Sequence, residues 1–164
     1  NTMKKYLLAA TLCATSFIAN AEAFIGGLAG FAYSNEIFTM SFAPCIGYEF
    51  NDKFAIGSYG GVSVYEGDAY GLINPFLRIT PCQNDRIAFD LKIQSNIEVN
   101  EGEALSINGI SPCLRAKISN KLEIASDFGI FGFQCYGGEC TPSVSLKNVN
   151  VNATIIYKLG NKSK

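Results

Sequence analysis

From Ile37 onward, large side chains occupy every second position: Phe38, Met40, Phe42, Pro44, Ile46, Tyr48 and Phe50. The residues between them, Thr39, Ser41, Ala43, Cys45, Gly47 and Glu49, are small or polar. A two-residue period places these sets on opposite faces of a strand, so the segment predicts one apolar wall and a second wall facing something wet or tightly filled. The pattern recurs and predicts eight strands, at 24–33, 36–50, 53–65, 69–82, 86–99, 105–118, 121–134 and 147–159. Asn51-Asp52, Gln83-Asn84-Asp85 and Ser119-Asn120 are tight-turn sequences. Glu66-Gly67-Asp68 and the stretch from Cys135 to Leu146 fall among the longer connections. Short turns on one rim and longer loops on the other describe an all-β, eight-stranded antiparallel up-and-down transmembrane barrel, with both termini on the periplasmic, short-turn side.

The second wall collects charge. In the fifth strand Ile87, Phe89, Leu91, Ile93, Ile97 and Val99 face away from Ala88, Asp90, Lys92, Gln94, Asn96 and Glu98; in the eighth, Val149 to Leu159 alternates against Asn150, Asn152, Thr154, Ile156 and Lys158. Carried through every strand, the phase gathers Glu49, Asp90, Glu98, Glu123 and Asp127 with Arg78, Lys92, Arg115, Lys117 and Lys158 on one wall. Eight strands leave an interior just wide enough for side chains to fill, so a balanced set must pair inside and plug the lumen. A soluble barrel could instead turn the polar wall to solvent. The second, fourth and sixth strands share a weak repeat, Ala43-Pro44-Cys45-Ile46, Asn74-Pro75-Phe76-Leu77 and Ser111-Pro112-Cys113-Leu114, whose prolines on the apolar face predict bends or bulges.

The N-terminus accounts for export. Lys4 and Lys5 precede an uncharged run from Tyr6 to Ala21 that closes on Ala19-Asn20-Ala21 or Ala21-Glu22-Ala23, the form of a cleavable signal peptide. A lipoprotein anchor at Cys13 is the alternative, although Leu12 stands where a small residue is expected. Residues 1–23 are assigned to the signal, with Asn1 and Thr2 extraneous before Met3, and 24–164 to one barrel domain. That cut takes Lys4, Lys5 and Glu22 from 13 basic and 14 acidic residues, leaving 11 and 13. No basic excess points to a nucleic-acid partner.

Ser41 to Gly57, reading Ser-Phe-Ala-Pro-Cys-Ile-Gly-Tyr-Glu-Phe-Asn-Asp-Lys-Phe-Ala-Ile-Gly, resembles the strand, turn and strand unit of small eight-stranded outer-membrane barrels of Gram-negative bacteria, OmpX-like and similar to the membrane domain of OmpA. An aromatic precedes the Asn/Asp turn and an aliphatic-Gly pair follows it. The resemblance spans essentially the whole chain behind the signal and implies an outer-membrane location in contact with lipid. Those barrels commonly end on an aromatic, whereas this chain continues past Tyr157 and Leu159 into Gly160-Asn161-Lys162-Ser163-Lys164.

Enzymatic chemistry finds little support. The chain has no His, no paired Cys-x-x-Cys motifs, and carboxylates better employed as ion partners, so no catalytic residue, metal or cofactor is assigned. Five cysteines follow the signal: Cys135 and Cys140 bracket Tyr136-Gly137-Gly138-Glu139 and are placed to close a small loop disulfide, Cys45 and Cys113 read as lumen fillers, and Cys82 has no assigned role. Two functions follow as expectations: a non-enzymatic, porin-like outer-membrane barrel, plugged, with surface loops for adhesion, protection or envelope structure and an extracellular partner of unknown identity; or a soluble lipocalin-like barrel whose apolar wall encloses a small hydrophobic ligand. Alternation alone fixes two walls without saying which is inside.

Overall fold

The computed structural model describes residues 21–34, 37–65, 67–100, 103–146 and 151–160. The expected leader through position 20, Glu66, and positions 147–150 of the expected eighth strand lie outside the described residues. Among the described residues there are ten strands: β1 (Glu22–Ser34), β2 (Ile37–Asn51), β3 (Phe54–Tyr65), β4 (Asp68–Gln83), β5 (Ile87–Asn100), β6 (Glu103–Lys117), β7 (Leu122–Asp127), β8 (Gly129–Tyr136), β9 (Glu139–Leu146) and β10 (Val151–Lys158). Consecutive antiparallel pairing runs from β1 to β7, β7 then pairs with β10, and β10 returns to β1. Eight strands thereby close an all-β antiparallel barrel. β8 continues beside β6 beyond β7, and β9 pairs with β8. Among the described residues β9 is paired on that side alone.

The three tight turns share one device, a side-chain oxygen that accepts two backbone N–H groups just ahead of it. Asn51 Oδ1 accepts from Lys53 and Phe54 at 2.8 and 3.0 Å, Asn84 Oδ1 from Arg86 and Ile87 at 2.8 and 2.7 Å, and Ser119 Oγ from Lys121 and Leu122 at 3.3 and 3.1 Å. This rim is the turn end of the barrel.

The opposite rim departs from expectation. Two positions separate Ser34 from Ile37, Tyr65 from Asp68, Asn100 from Glu103 and Tyr136 from Glu139, so the connections there are as short as those of the turn end. The expected long loop from Cys135 to Leu146 is instead the turn and second strand of the β8–β9 hairpin. Gly137 and Gly138 have φ of 59° and 88°, the pair of positive values that a two-residue hairpin turn of type I′ requires and that glycine adopts without strain.

The expected strand 121–134 breaks at Phe128. Asp127 pairs with Cys113 and Phe131 with Ile110, so three residues on one strand span two on β6, a β-bulge in which Phe128 N–H donates to Pro112 O at 3.0 Å and Gly129 has φ of 134°. Inward positions are odd-numbered before this bulge and even-numbered after it: Asp127 is buried, then Ile130. The prolines interrupt the ladder on one side each, since β2–β3 passes from Phe42 to Cys45, β4–β5 from Ile73 to Phe76, and the β7–β8 break falls at Pro112, but they do not coincide with the other register shifts. Pro44, Pro75 and Pro112 hold register with Gly27, Ser58 and Leu91, while register shifts fall between Glu49 and Asn51 and between Ile79 and Cys82.

Closure decides which wall is inside. Phe42 and Ile46 are each 61% exposed on the outer wall, and Ile25, Ile56, Ile73, Ile93, Ile110 and Ile155 share that face. Inside, Asp90 is fully buried and Arg115 is 1% exposed. Phe24, Tyr59, Phe76, Cys45, Cys113 and Ile156 fill the space between the charged groups. Cys45 and Cys113 are buried free thiols, and Cys82 is an exposed one near the turn end. Two rings occupy room left by glycines: a Cβ at Gly47 would meet Phe24 Cζ at 2.3 Å, and one at Gly57 would meet Phe76 Cζ at 2.6 Å.

Candidate functional site: the charged lumen

Six strands each contribute one ionised side chain to a continuous chain across the barrel. Asp90 on β5 accepts from Arg115 Nε on β6 at 2.8 Å and from Arg115 Nη2 at 3.2 Å, a two-point contact that fixes orientation as well as charge. Arg115 Nη1 donates to Glu123 on β7 at 2.7 Å. Lys158 Nζ on β10 bridges Glu123 and Glu49 at 2.9 and 3.0 Å. Glu49 on β2 then meets Arg78 Nη2 on β4 at 3.4 Å. Lys92 on β5 and Asp127 on β7 form a separate pair at 2.9 Å.

Neutral groups add to these contacts, while Arg78 Nε is buried without a hydrogen-bond partner among the described residues. Thr80 Oγ1 donates to Asp90 at 2.6 Å, and Lys92 Nζ donates to Tyr59 Oη at 3.3 Å. The Lys92 ammonium lies 5.5 Å from the centroids of both the Tyr59 and Phe76 rings, and the Arg78 guanidinium 5.7 Å from that of Phe24. Aromatic faces attract cations through their quadrupole, most effectively where water is excluded.

Of the ten charged residues read from the sequence, the structure brings together Glu49, Arg78, Asp90, Lys92, Arg115, Glu123, Asp127 and Lys158. Glu98 and Lys117 stand apart. Glu98 is half-buried on β5 and forms no ion pair among the described residues. Lys117 is opposite Glu123 in register, yet its Nζ contacts Gln83 Oε1 at 3.4 Å and Asn84 O at 3.5 Å, drawn to the turn by neutral acceptors near the rim. Tyr59, Thr80 and Phe24 were not singled out by sequence, whereas Phe76 shares Arg78's wall by parity and is buried there. Thr80 shares the parity of Arg78 two residues before it, which places it on the same wall.

The chain opens toward the turn end into a polar vestibule of about 720 Å³, lined by Glu22, Glu49, Glu123 and Lys158 and, nearer the rim, by Arg86, Lys117 and Lys121. The Cys135–Cys140 disulfide lies at the far end and ties β8 to β9 across the Gly137-Gly138 turn. Among the described residues no three His, Cys, Asp or Glu side chains are placed to hold a metal ion. No family model matches the chain, and no curated protein matches it.

Proposed function

We propose that the chain is a non-enzymatic, OmpX-like barrel of a Gram-negative outer membrane, plugged by its ion pairs, that serves envelope structure or protection. The observation that carries this reading is the order of the walls: exposed isoleucines and aromatics outside, paired charges inside. An apolar surface that continues around a barrel is costly in water and favourable in lipid. Tyr48, Phe54, Phe89 and Tyr157 are exposed on the outer wall near the turn end, the arrangement of an interfacial aromatic girdle. β1 to β6 run 12 to 16 residues, more than the ~9–11 that a tilted membrane strand needs. Short connections on both rims shift any recognition role from loops to the β8–β9 hairpin.

The test is the protein's behaviour in its own envelope. It is expected in the outer-membrane fraction, with SDS-gel mobility that changes on boiling and no large steady conductance when the folded protein is reconstituted in planar bilayers. Recovery as a water-soluble protein with a bound lipid and no heat shift would establish the lipocalin-like alternative instead; a large steady conductance would remove the plug.

A further inference from the structure

The eight paired charges of the lumen balance, four acids against four bases, and Glu22 is left over. This carboxylate side chain is 9% exposed, forms no ion pair among the described residues, and lines the vestibule. Its position is built into the barrel: a Cβ at Gly160 would meet Glu22 Cγ at 2.9 Å and Oε1 at 3.0 Å, so the Glu22 side chain packs over that glycine. Across the sheet Glu22 is the direct register partner of Glu49, and like charges in that relation repel.

We propose that the exported chain is processed between Ala21 and Glu22, and that the new α-ammonium of Glu22 supplies the missing cation at the floor of the barrel. This rests on the reading of the chain as an exported barrel. Hydrolysis breaks the Ala21–Glu22 peptide bond: water gives its hydroxyl to the Ala21 carboxyl and a hydrogen to the Glu22 nitrogen, which then takes up a proton, an α-amino group being largely protonated at neutral pH. The agent is an envelope peptidase that reads small residues, here Ala19 and Ala21. Since Glu22 is buried once the barrel closes, the cut precedes folding.

The alternative cut, after Ala23, dismantles what the structure uses. It removes Glu22 and Ala23 from β1, with their registers to Glu49 and Tyr48, and deletes the 2.8 Å bond from Leu159 N–H to Ala23 O. It also leaves an ammonium on Phe24, which is 1% exposed and directly opposite Lys158 in register. A cut after Ala21 keeps every one of these contacts and places the new positive charge on the vestibule carboxylate that forms no ion pair among the described residues.

N-terminal sequencing and intact mass of the protein isolated from cell envelopes test the position. A chain beginning at Glu22 is expected. A chain beginning at Ala23 or Phe24 overturns the inference and leaves export intact, whereas retention of residues 3–20, or a lipid on Cys13, overturns both. The charge role has its own test in Glu22→Gln, exported, processed and checked by mass. With the mass excluding cyclisation of the new N-terminal glutamine, the variant keeps the ammonium and lacks the carboxylate: if the two form an ion pair, the temperature of the SDS heat shift falls by a few degrees; if Glu22 merely repels Glu49, the substitution relieves that repulsion and the temperature rises, which overturns the role.

Discussion

Strand β6 passes through two environments. At its turn-end half Arg115 is buried between Asp90 and Glu123, in a section where all eight barrel strands are paired. At its far half the same strand pairs with β8, and Asn108 accepts a hydrogen bond from Ser95 and donates to Ser106 at 3.1 Å, with no ion pair among the described residues nearby. The difference follows from desolvation. A buried carboxylate and guanidinium repay the loss of water only where every remaining polar atom finds a partner, and a closed ring of strands can supply partners from several directions at once. Beside β9, which among the described residues is paired on one side, the chain uses neutral inward groups, a disulfide and glycines instead, with the exposed Glu103 carboxylate accepting from Tyr136 Oη. The two ends are therefore expected to fail differently.

The largest effect is expected at the turn end. Arg115→Ala leaves Asp90 and Glu123 buried without their shared cation, and removing one partner of a buried pair costs about 3–5 kcal/mol. Urea unfolding in detergent, followed by the gel-mobility shift, should show a clear fall in midpoint. A change below about 1 kcal/mol would mean that water reaches these carboxylates and screens them. Gly57→Val acts on the same half through packing. Its Cβ would meet Phe76 Cζ at 2.6 Å and Ile46 O at 2.9 Å, so the ring that lies beside Lys92 has to move; overpacking of this kind costs about 1–3 kcal/mol by the same assay.

How far the sequence could be read divides along the same line. At the turn end the register shifts of β2 and β4 fall rimward of Glu49 and Arg78, so the two-residue period holds through the charged section and parity assigns Glu49, Asp90, Arg115 and Lys158 to one wall. Charge then marks the wall that must find partners inside, because eight strands leave an interior just wide enough for side chains to fill. Parity fails at the far end because of one extra residue. Ile124 and Phe128 are even-numbered outward positions, whereas Phe131 and Phe133 are odd-numbered ones, and Gly129 sits at the change. That switch, with Gly137-Gly138 as a hairpin turn, was present in the sequence; the glycine spacer between the two cysteines made the segment resemble a loop. Glu22 was missed for another reason, having been assigned to the leader and so left out of the charge balance. The separation of Lys117 from Glu123 was not legible, since register places them opposite and only side-chain reach sets them apart.

The disulfide belongs to the far end alone. Cys135 and Cys140 enclose four residues, for which chain-entropy arguments give about 2 kcal/mol. That stabilisation belongs to a hairpin attached to the barrel by one edge. Replacing both cysteines with serine should therefore increase proteolytic cleavage between Tyr136 and Leu146 while leaving the urea midpoint of the barrel nearly unchanged. A matching fall in that midpoint would show that hairpin and barrel unfold as one unit. Mass spectrometry without reduction provides the chemical check, as the native chain should lack two hydrogens relative to the reduced one.

Glu98→Gln is expected to have the smallest effect and tests the premise most directly. Glu98 has the same inward parity as Asp90 and Lys92 and the same charge as Asp90, but it is half-buried and forms no ion pair among the described residues. If inward charge as such stabilised the barrel, neutralising Glu98 should cost as much as disturbing any of the other carboxylates. If enclosure by a fully paired ring is what matters, the substitution should stay within about 0.5 kcal/mol, the range of surface changes. A loss comparable to that of Arg115→Ala would instead mean that the sealed, charge-paired section reaches past Lys92 toward the far rim, and the boundary between the two environments of β6 would have to move with it.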